Sequence, residues 1–143
     1  MRGYFAIGIE HTKTEINVGT LWRTAGIFEA AFVFTVGKRY RQQSSDTRKT
    51  WRHTPLFHFE TLDDLMRHLP FESRLVGVEM EENAEDLALY EHPERAIYLL
   101  GAEDVGLSKE ALSCCHDLVR LPGTHSLNVS VAGSIVLYDR IAS

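Results

Sequence analysis

The sequence predicts an α/β domain, with a mostly parallel sheet covered by helices on both faces, spanning residues 1–143 as a single unit. Three observations predict it. Short runs rich in β-branched and aromatic residues alternate along the chain with segments of helical pattern. Two of those runs, Ala31–Val36 (AFVFTV) and Ala96–Leu100 (AIYLL), are apolar or β-branched throughout, as strands buried on both faces must be. A chain of 143 residues, 44% hydrophobic, can bury one sizeable core but leaves no room for a second full domain.

The elements follow in order. Tyr4–Ile9 is an apolar strand. Asn17 is placed to cap a helix running to about Ala30, with Leu21, Ala25 and Phe28 near one face. Ala31–Val36 is the second strand, and a long basic loop leads to a short strand at Leu56–Phe59. Thr61-Leu62-Asp63-Asp64 resembles a capping box, with Asp in the place of Glu or Gln, and opens a helix to about Leu69. Leu75–Glu79 is a strand, 83–90 a short helix, and Ala96–Leu100 a strand ending at Gly101. Ser108 caps a helix over 109–115, Leu118–Leu121 is a strand, and 127–141 is the last helix. That helix (LNVSVAGSIVLYDRI) is apolar almost all round, so it needs burial in its own domain or against a second subunit.

Net charge is −5, which excludes a uniformly basic surface. The charge is unevenly distributed. Residues 38–53 hold Lys38, Arg39, Arg41, Arg48, Lys49 and Arg52 against the single acid Asp46, a net +5, leaving −10 on the rest. Tyr40 and Trp51 lie among these cations, a mixture suited to phosphate contact and base stacking. No apolar run approaches the roughly 20 residues of a membrane helix, and the N-terminal run is too short for a secretory signal. The only cysteines, Cys114 and Cys115, are adjacent and make no disulfide framework, so a reducing cytoplasm is expected.

Several motifs fail on inspection. Gly101-Ala102-Glu103-Asp104-Val105-Gly106 has phosphate-loop glycine spacing, but Leu107-Ser108 follows where Lys-Ser/Thr is needed. A tight turn between strand and helix, at the end of the sheet where α/β proteins bind ligands, fits it better. Cys114-Cys115-His116 lacks zinc-site spacing and a second ligand pair, so no metal is expected. Asn128-Val129-Ser130 matches a glycosylation pattern inside an apolar helix, which makes the match accidental. The seven histidines are scattered and form no recognisable catalytic arrangement.

Three segments carry more. They are Asn17-Val18-Gly19-Thr20-Leu21-Trp22-Arg23-Thr24-Ala25, then Leu99–Ser108 (LLGAEDVGLS), then Leu121-Pro122 followed by Ser126–Ala132 (SLNVSVA). In this order and at these separations they resemble the three motifs of the SpoU-type RNA 2′-O-ribose methyltransferases of the SPOUT superfamily, over about residues 4–141. The absence of an added RNA-binding domain resembles the small enzymes that modify the tRNA wobble ribose. The resemblance implies an α/β domain with a C-terminal trefoil knot, a homodimer, S-adenosylmethionine as cofactor, and RNA as substrate, tRNA ahead of rRNA.

Site residues follow from the same resemblance. Val78, Glu79, Gly101, Leu121, Ser126 and Leu127 are expected around the cofactor, with Gly101 allowing close backbone approach and Leu121 and Leu127 flanking the adenine. Arg23 matches the family's essential arginine and is expected to hold the phosphate beside the target ribose, since a guanidinium is a poor base. Asn17 is expected to orient the site, Glu103 to hold Arg23 or nearby backbone, and Ser126 and Asn128 to lie near the reacting hydroxyl. Lys38, Arg39, Arg41, Arg48, Lys49 and Arg52, with Arg23, are the expected RNA contacts. Only Pro122, Gly123, Thr124 and His125 separate Leu121 from Ser126, a loop shorter than in the small wobble enzymes. His125 can supply an interaction that so short a loop would otherwise not make. Two rival readings remain: a non-catalytic RNA-binding member of the same fold, and an unrelated α/β enzyme acting on a small phosphorylated metabolite.

Overall fold

The structure is a computed structural model and describes residues 2–12, 14–37, 53–103 and 105–143. Seven strands form one sheet: β1 (Tyr4–Glu10), β2 (Phe32–Val36), β3 (Leu56–Phe59), β4 (Arg74–Val78), β5 (Glu85–Asp86), β6 (Arg95–Leu100) and β7 (Asp117–Arg120). Among the described residues four α-helices join them: α1 (Glu15–Ile27), α2 (Leu62–Arg67), α3 (Lys109–Cys114) and α4 (Val129–Ala142). The strand order is β3-β2-β1-β6-β4-β7-β5, and every ladder is parallel. The chain lays strands outward from β1 to β3, crosses to β4 and β5, then inserts β6 between β1 and β4 and β7 between β4 and β5. This late insertion of strands is compatible with the threaded C-terminal half the resemblance implies.

Alternation along the strands builds two cores. Phe5, Ile7 and Ile9 of β1, with Tyr98 and Leu100 of β6, face α1 and α4. Ala6, Phe34, Leu75, Ile97 and Leu99 face α2 and α3. Burying both faces explains the unbroken apolar runs that mark β2 and β6 in the sequence.

Three expectations are corrected. Asn17 is not the cap of α1: Thr14 stands in the cap position, and Asn17 is buried in the first turn. The helix also ends at Ile27 rather than near Ala30, because Glu29 takes a left-handed backbone (φ 63°) and the Glu29 and Ala30 N–H groups turn back to the Gly26 and Ala25 carbonyls. Of residues 83–90 only Leu87–Leu89 is helical, a single 3-10 turn. Glu85–Asp86 pairs instead with Val119–Arg120 at the sheet edge, followed by one tight turn at Leu87–Leu89. Arg120 holds this segment, its Nε donating to Asp86 and its Nη1 to the carbonyls of Glu81 and Glu82.

Other local signals hold. Thr61 Oγ1 accepts from the Asp64 N–H at 3.1 Å while Asp64 reaches back to the Glu60 N–H, the expected box displaced by one residue. That helix closes at Arg67, short of Leu69, with His68 in the closing position. Only one face of α4 is buried, and Val131, Ile135 and Tyr138 on the other are exposed. Its inner end carries Arg140, fully buried, whose five N–H groups meet the carbonyls of Arg2, Pro93 and Glu94 and the Tyr98 hydroxyl. Tyr98 in turn bonds His92, and His92 bonds Asp139.

Candidate active site

A cavity of ≈ 320 Å³ opens at the carboxyl ends of β4, β6 and β7, where ligands bind in parallel α/β sheets. Its walls come from the chain that leaves each strand. Val78 and Glu79 follow from β4, Leu100 to Glu103 and Val105 to Leu107 from β6, and Leu121, Pro122 and His125 to Leu127 from β7. Val129 and Ala132 of α4 and Leu112 of α3 close it. All six residues expected around a cofactor, Val78, Glu79, Gly101, Leu121, Ser126 and Leu127, line this cavity, as does Glu103. Leu121 is buried and Leu127 half-exposed, so one apolar wall is fixed and the other open.

The turn from Gly101 to Ser108 is the most tightly held wall. Ala102 bridges Gly106, whose N–H donates to the Ala102 carbonyl at 2.9 Å. A side chain at Gly101 would collide with the backbone of Gly106 and Leu107. The turn itself therefore requires glycine there. Glu79 accepts from the Leu107 N–H at 2.7 Å and from the Met80 N–H at 3.0 Å, so its carboxylate ties the β4 and β6 loops together.

One carboxylate reaches this turn from outside the three motifs. Glu10, at the end of β1, is buried, and accepts from both the Ser108 N–H (2.8 Å) and the Ser108 hydroxyl (2.6 Å). Ser108 simultaneously caps α3, accepting from the Ala111 N–H at 3.0 Å. In sequence, Glu10 is an acid after an apolar run and reads as the strand reaching solvent; its partner is 98 residues away.

The three motifs meet in one hydrogen-bonded chain. The Asn17 amide donates to Thr14 Oγ1 at 2.7 Å and to Glu103, and its carbonyl oxygen accepts from Asn128 Nδ2 at 3.1 Å. Asn128 Oδ1 then accepts from Ser130 N–H, Ser130 Oγ and Val131 N–H, which caps α4. Asn17, Glu103 and Asn128 thus spend their polar groups largely on one another. The second carboxylate oxygen of Glu103 is buried with no hydrogen-bond partner among the described residues.

Arg23 stands apart from this chain. It is exposed and does not line the cavity. Six residues on an α-helix turn the side chain by about 240° from Asn17. Arg23 falls instead on an outward stripe with Ile16, Thr20 and Ile27, of which Ile16 and Ile27 are exposed apolar residues. The expected RNA contacts Lys38, Arg39, Arg41, Arg48, Lys49 and Arg52 lie outside the described residues.

Other titratable groups belong to structure. Burial pushes the Cys115 thiol up to about 12, and its sulfur packs beside Gly77. Arg74 grips Asp117 through Nε (3.2 Å) and Nη2 (3.0 Å), which holds the Asp117 carboxyl below its ordinary value. Among the described residues no group of three or more His, Cys, Asp or Glu is placed to hold a metal ion, and no helix is long and apolar enough to cross a membrane.

A parallel seven-stranded sheet with a ligand-sized cavity at its carboxyl end and three sequence motifs converging on that end defines the class as a SpoU-like α/β fold. Residues 4–138 match the SpoU rRNA Methylase family model, and the chain belongs to that family. It is similar to the Escherichia coli (strain K12) tRNA (guanosine(18)-2′-O)-methyltransferase, 28% identical over 138 residues covering 92% of this chain and 60% of that one. A Mus musculus tRNA (guanosine(18)-2′-O)-methyltransferase is 30% identical over 135 residues, 86% of this chain but 8% of that protein. The chain therefore spans less than two thirds of these relatives. Among solved structures, SpoU methyltransferase AviRb from Streptomyces viridochromogenes, in complex with AdoMet, has a TM-score of 0.89 at 18% identity, covering 99% of this chain and 58% of that one. A structure described for 2-OH methylation of C/U34 on tRNA has a TM-score of 0.85 at 19% identity and covers 99% of this chain and 96% of that one.

Proposed function

We propose that the chain is an S-adenosylmethionine-dependent RNA 2′-O-ribose methyltransferase acting on tRNA, with rRNA as the alternative substrate. The observation that carries this is the convergence of Asn17, Glu103 and Asn128, one from each motif, in a single hydrogen-bonded chain beside the cavity. The residues present fit the cofactor. The cavity falls within the size range of small-molecule sites. Leu121 and Leu127 offer apolar surfaces for an adenine, and Glu79, Glu81 and Glu103 give walls of a sign that suits a sulfonium cation. When bound, that group supplies an activated methyl for transfer to a ribose oxygen.

The chain's own residues bind and align. Glu10 and Glu79 hold the 101–108 turn in one shape, so its backbone groups are fixed before a ligand arrives. Ser126 lines the cavity, which supports its role of meeting a ribose hydroxyl. Arg23 is the phosphate anchor, and the basic residues of 38–52 extend the RNA contact. The AviRb complex and the C/U34 relative, by what they are described to bind and modify, support the cofactor and the tRNA preference.

The same reading makes the protein a cytoplasmic homodimer with a threaded C-terminal half, a single domain over 1–143. Packing of α1 on α4 leaves Ile16, Ile27, Val131, Ile135 and Tyr138 exposed on that side of the molecule, an apolar surface that a second copy would cover. Arg23 lies on it, so pairing two copies would carry each Arg23 toward its partner. The test is incubation of the protein with unmodified tRNA and S-adenosylmethionine, followed by nucleoside mass spectrometry. A 2′-O-methylated nucleoside is expected; RNA binding without turnover would overturn the reading in favour of a non-catalytic family member.

A further inference from the structure

We propose that His125 is the general base that takes the proton from the ribose 2′-hydroxyl, an inference that rests on the methyltransferase reading above. A hydroxyl attacks an electrophilic methyl readily only as its proton leaves, and a side chain titrating near neutral pH suits that task. Among the described residues lining the cavity, the titratable groups are Glu79, Glu81, Glu103 and His125. Glu79 has both oxygens on backbone N–H groups, and Glu103 is bonded to Asn17. Carboxylates are in any case weak bases toward a hydroxyl at neutral pH. Asn128 is consumed by capping α4 and bonding Asn17. Arg23 is given to the phosphate in this reading, and a guanidinium is a poor base. His125 is the one imidazole on the wall among the described residues and stands beside Ser126, which also lines the cavity.

Its immediate surroundings suit the role. His125 is exposed at the cavity mouth, and its Nδ1 lies 2.9 Å from Thr124 Oγ1. With Nδ1–H donating to Thr124, the Nε2 lone pair is open to a substrate. The 121–126 connection contains only Pro122, Gly123, Thr124 and His125; Gly123 adopts φ 136°, a turn glycine allows, and Pro122 and His125 on either side of the Gly123-Thr124 pair line the cavity. In the step, the 2′-oxygen forms the O–CH3 bond as the S–CH3 bond breaks with its electron pair remaining on sulfur. The hydroxyl proton passes to His125 Nε2 and then to water. Among the described residues, the other charged groups lining the cavity are Glu79, Glu81 and Glu103; α3 and α4 contribute only the apolar Leu112, Val129 and Ala132.

The experiment compares wild type with His125→Ala and His125→Gln, using the protein with S-adenosylmethionine and unmodified tRNA. Expected are cofactor and tRNA affinities within about twofold of wild type by calorimetry, and a fall in turnover of roughly 100-fold, the usual contribution of a positioned base. The acid limb of the wild-type pH–rate profile should vanish in both variants, and added imidazole should restore part of the rate in His125→Ala. Independently of turnover, the 15N shifts of the wild-type His125 ring should report the Nδ1-protonated tautomer. An Nε2-protonated ring, an unchanged pH profile, a loss below about threefold, or a loss that follows cofactor affinity would each overturn the proposal. Wild type that binds no cofactor and methylates no RNA would instead overturn the functional reading beneath it.

Discussion

Replacing Asn17 should separate the three motifs. The side chain is 7% exposed, so water cannot replace its partners. Asn17→Ala removes the bonds to Thr14 and Asn128, each worth about 1 kcal/mol net, and the bond to the Glu103 carboxylate, worth about 1.5–3 kcal/mol because the acceptor is charged. Alanine returns about 0.5 kcal/mol through helix propensity. The expected loss is about 3–4.5 kcal/mol in urea unfolding, with cofactor affinity falling as the Glu103 turn and the α4 cap lose their common tie. Asn17→Asp is the sharper variant. It keeps an acceptor for Asn128 but sets a second carboxylate against Glu103, so the pair must share a proton and its titration is raised in the folded state. A raised folded value gives stability that is present at low pH and lost as pH rises, so this variant should be closer to wild type at pH 5 than at pH 8. Loss of less than about 1 kcal/mol in Asn17→Ala, together with a flat pH response in Asn17→Asp, would refute the view that Asn17 is the joint.

Three further outcomes follow from the same geometry. Arg140→Met strips donors from the carbonyls of Arg2, Pro93 and Glu94 inside the protein, and should cost about 3–5 kcal/mol by urea unfolding; a cost under about 1 kcal/mol would show that water enters there. Burial lowers the His92 imidazole below its ordinary 6.5, opposed by its bond to Asp139, so the unfolded chain takes up a proton first and stability should fall as pH drops below 6.5 toward the folded value. His92→Gln should flatten that slope in unfolding curves, and an unchanged slope would count against it. Gly101→Ala drives a methyl into the Gly106–Leu107 backbone and should destabilise by about 1–3 kcal/mol while opening the cavity wall; wild-type cofactor affinity by calorimetry would show that the turn yields without consequence.

The parts of the fold legible in the sequence are those whose cause is local. Two-sided burial writes itself into β2 and β6 as unbroken apolar runs, and Thr61 and Ser108 announce helix starts because a cap acts over three residues. Glu85–Asp86 was illegible because an exposed acidic pair becomes a strand only by finding β7 at the sheet edge. Glu10 and Arg140 were missed for the same reason: each is buried only because groups remote in sequence satisfy it. The separation of Arg23 from Asn17 was in principle readable, since helix geometry alone turns them to different faces. Val78, Glu79, Gly101, Glu103, Leu121, Ser126 and Leu127 are legible through the motif resemblance, and the structure sets them around one cavity, while Met80, Glu81 and Leu112 join that wall only through the fold.

That difference bears on how the site should be dissected. Asn17, Glu103 and Asn128 hold the ends of α1, the Gly101–Ser108 turn and α4 together, and a change in any of them disturbs the shape of the cavity. Lost activity in such variants would therefore report geometry as readily as chemistry. His125 and Ser126 occupy the opposite position: both line the cavity from an exposed loop, where truncation leaves no buried partner among the described residues unsatisfied. Kinetic effects at these two positions, measured with affinity and stability held near wild type, are the ones that can be assigned to the reaction itself.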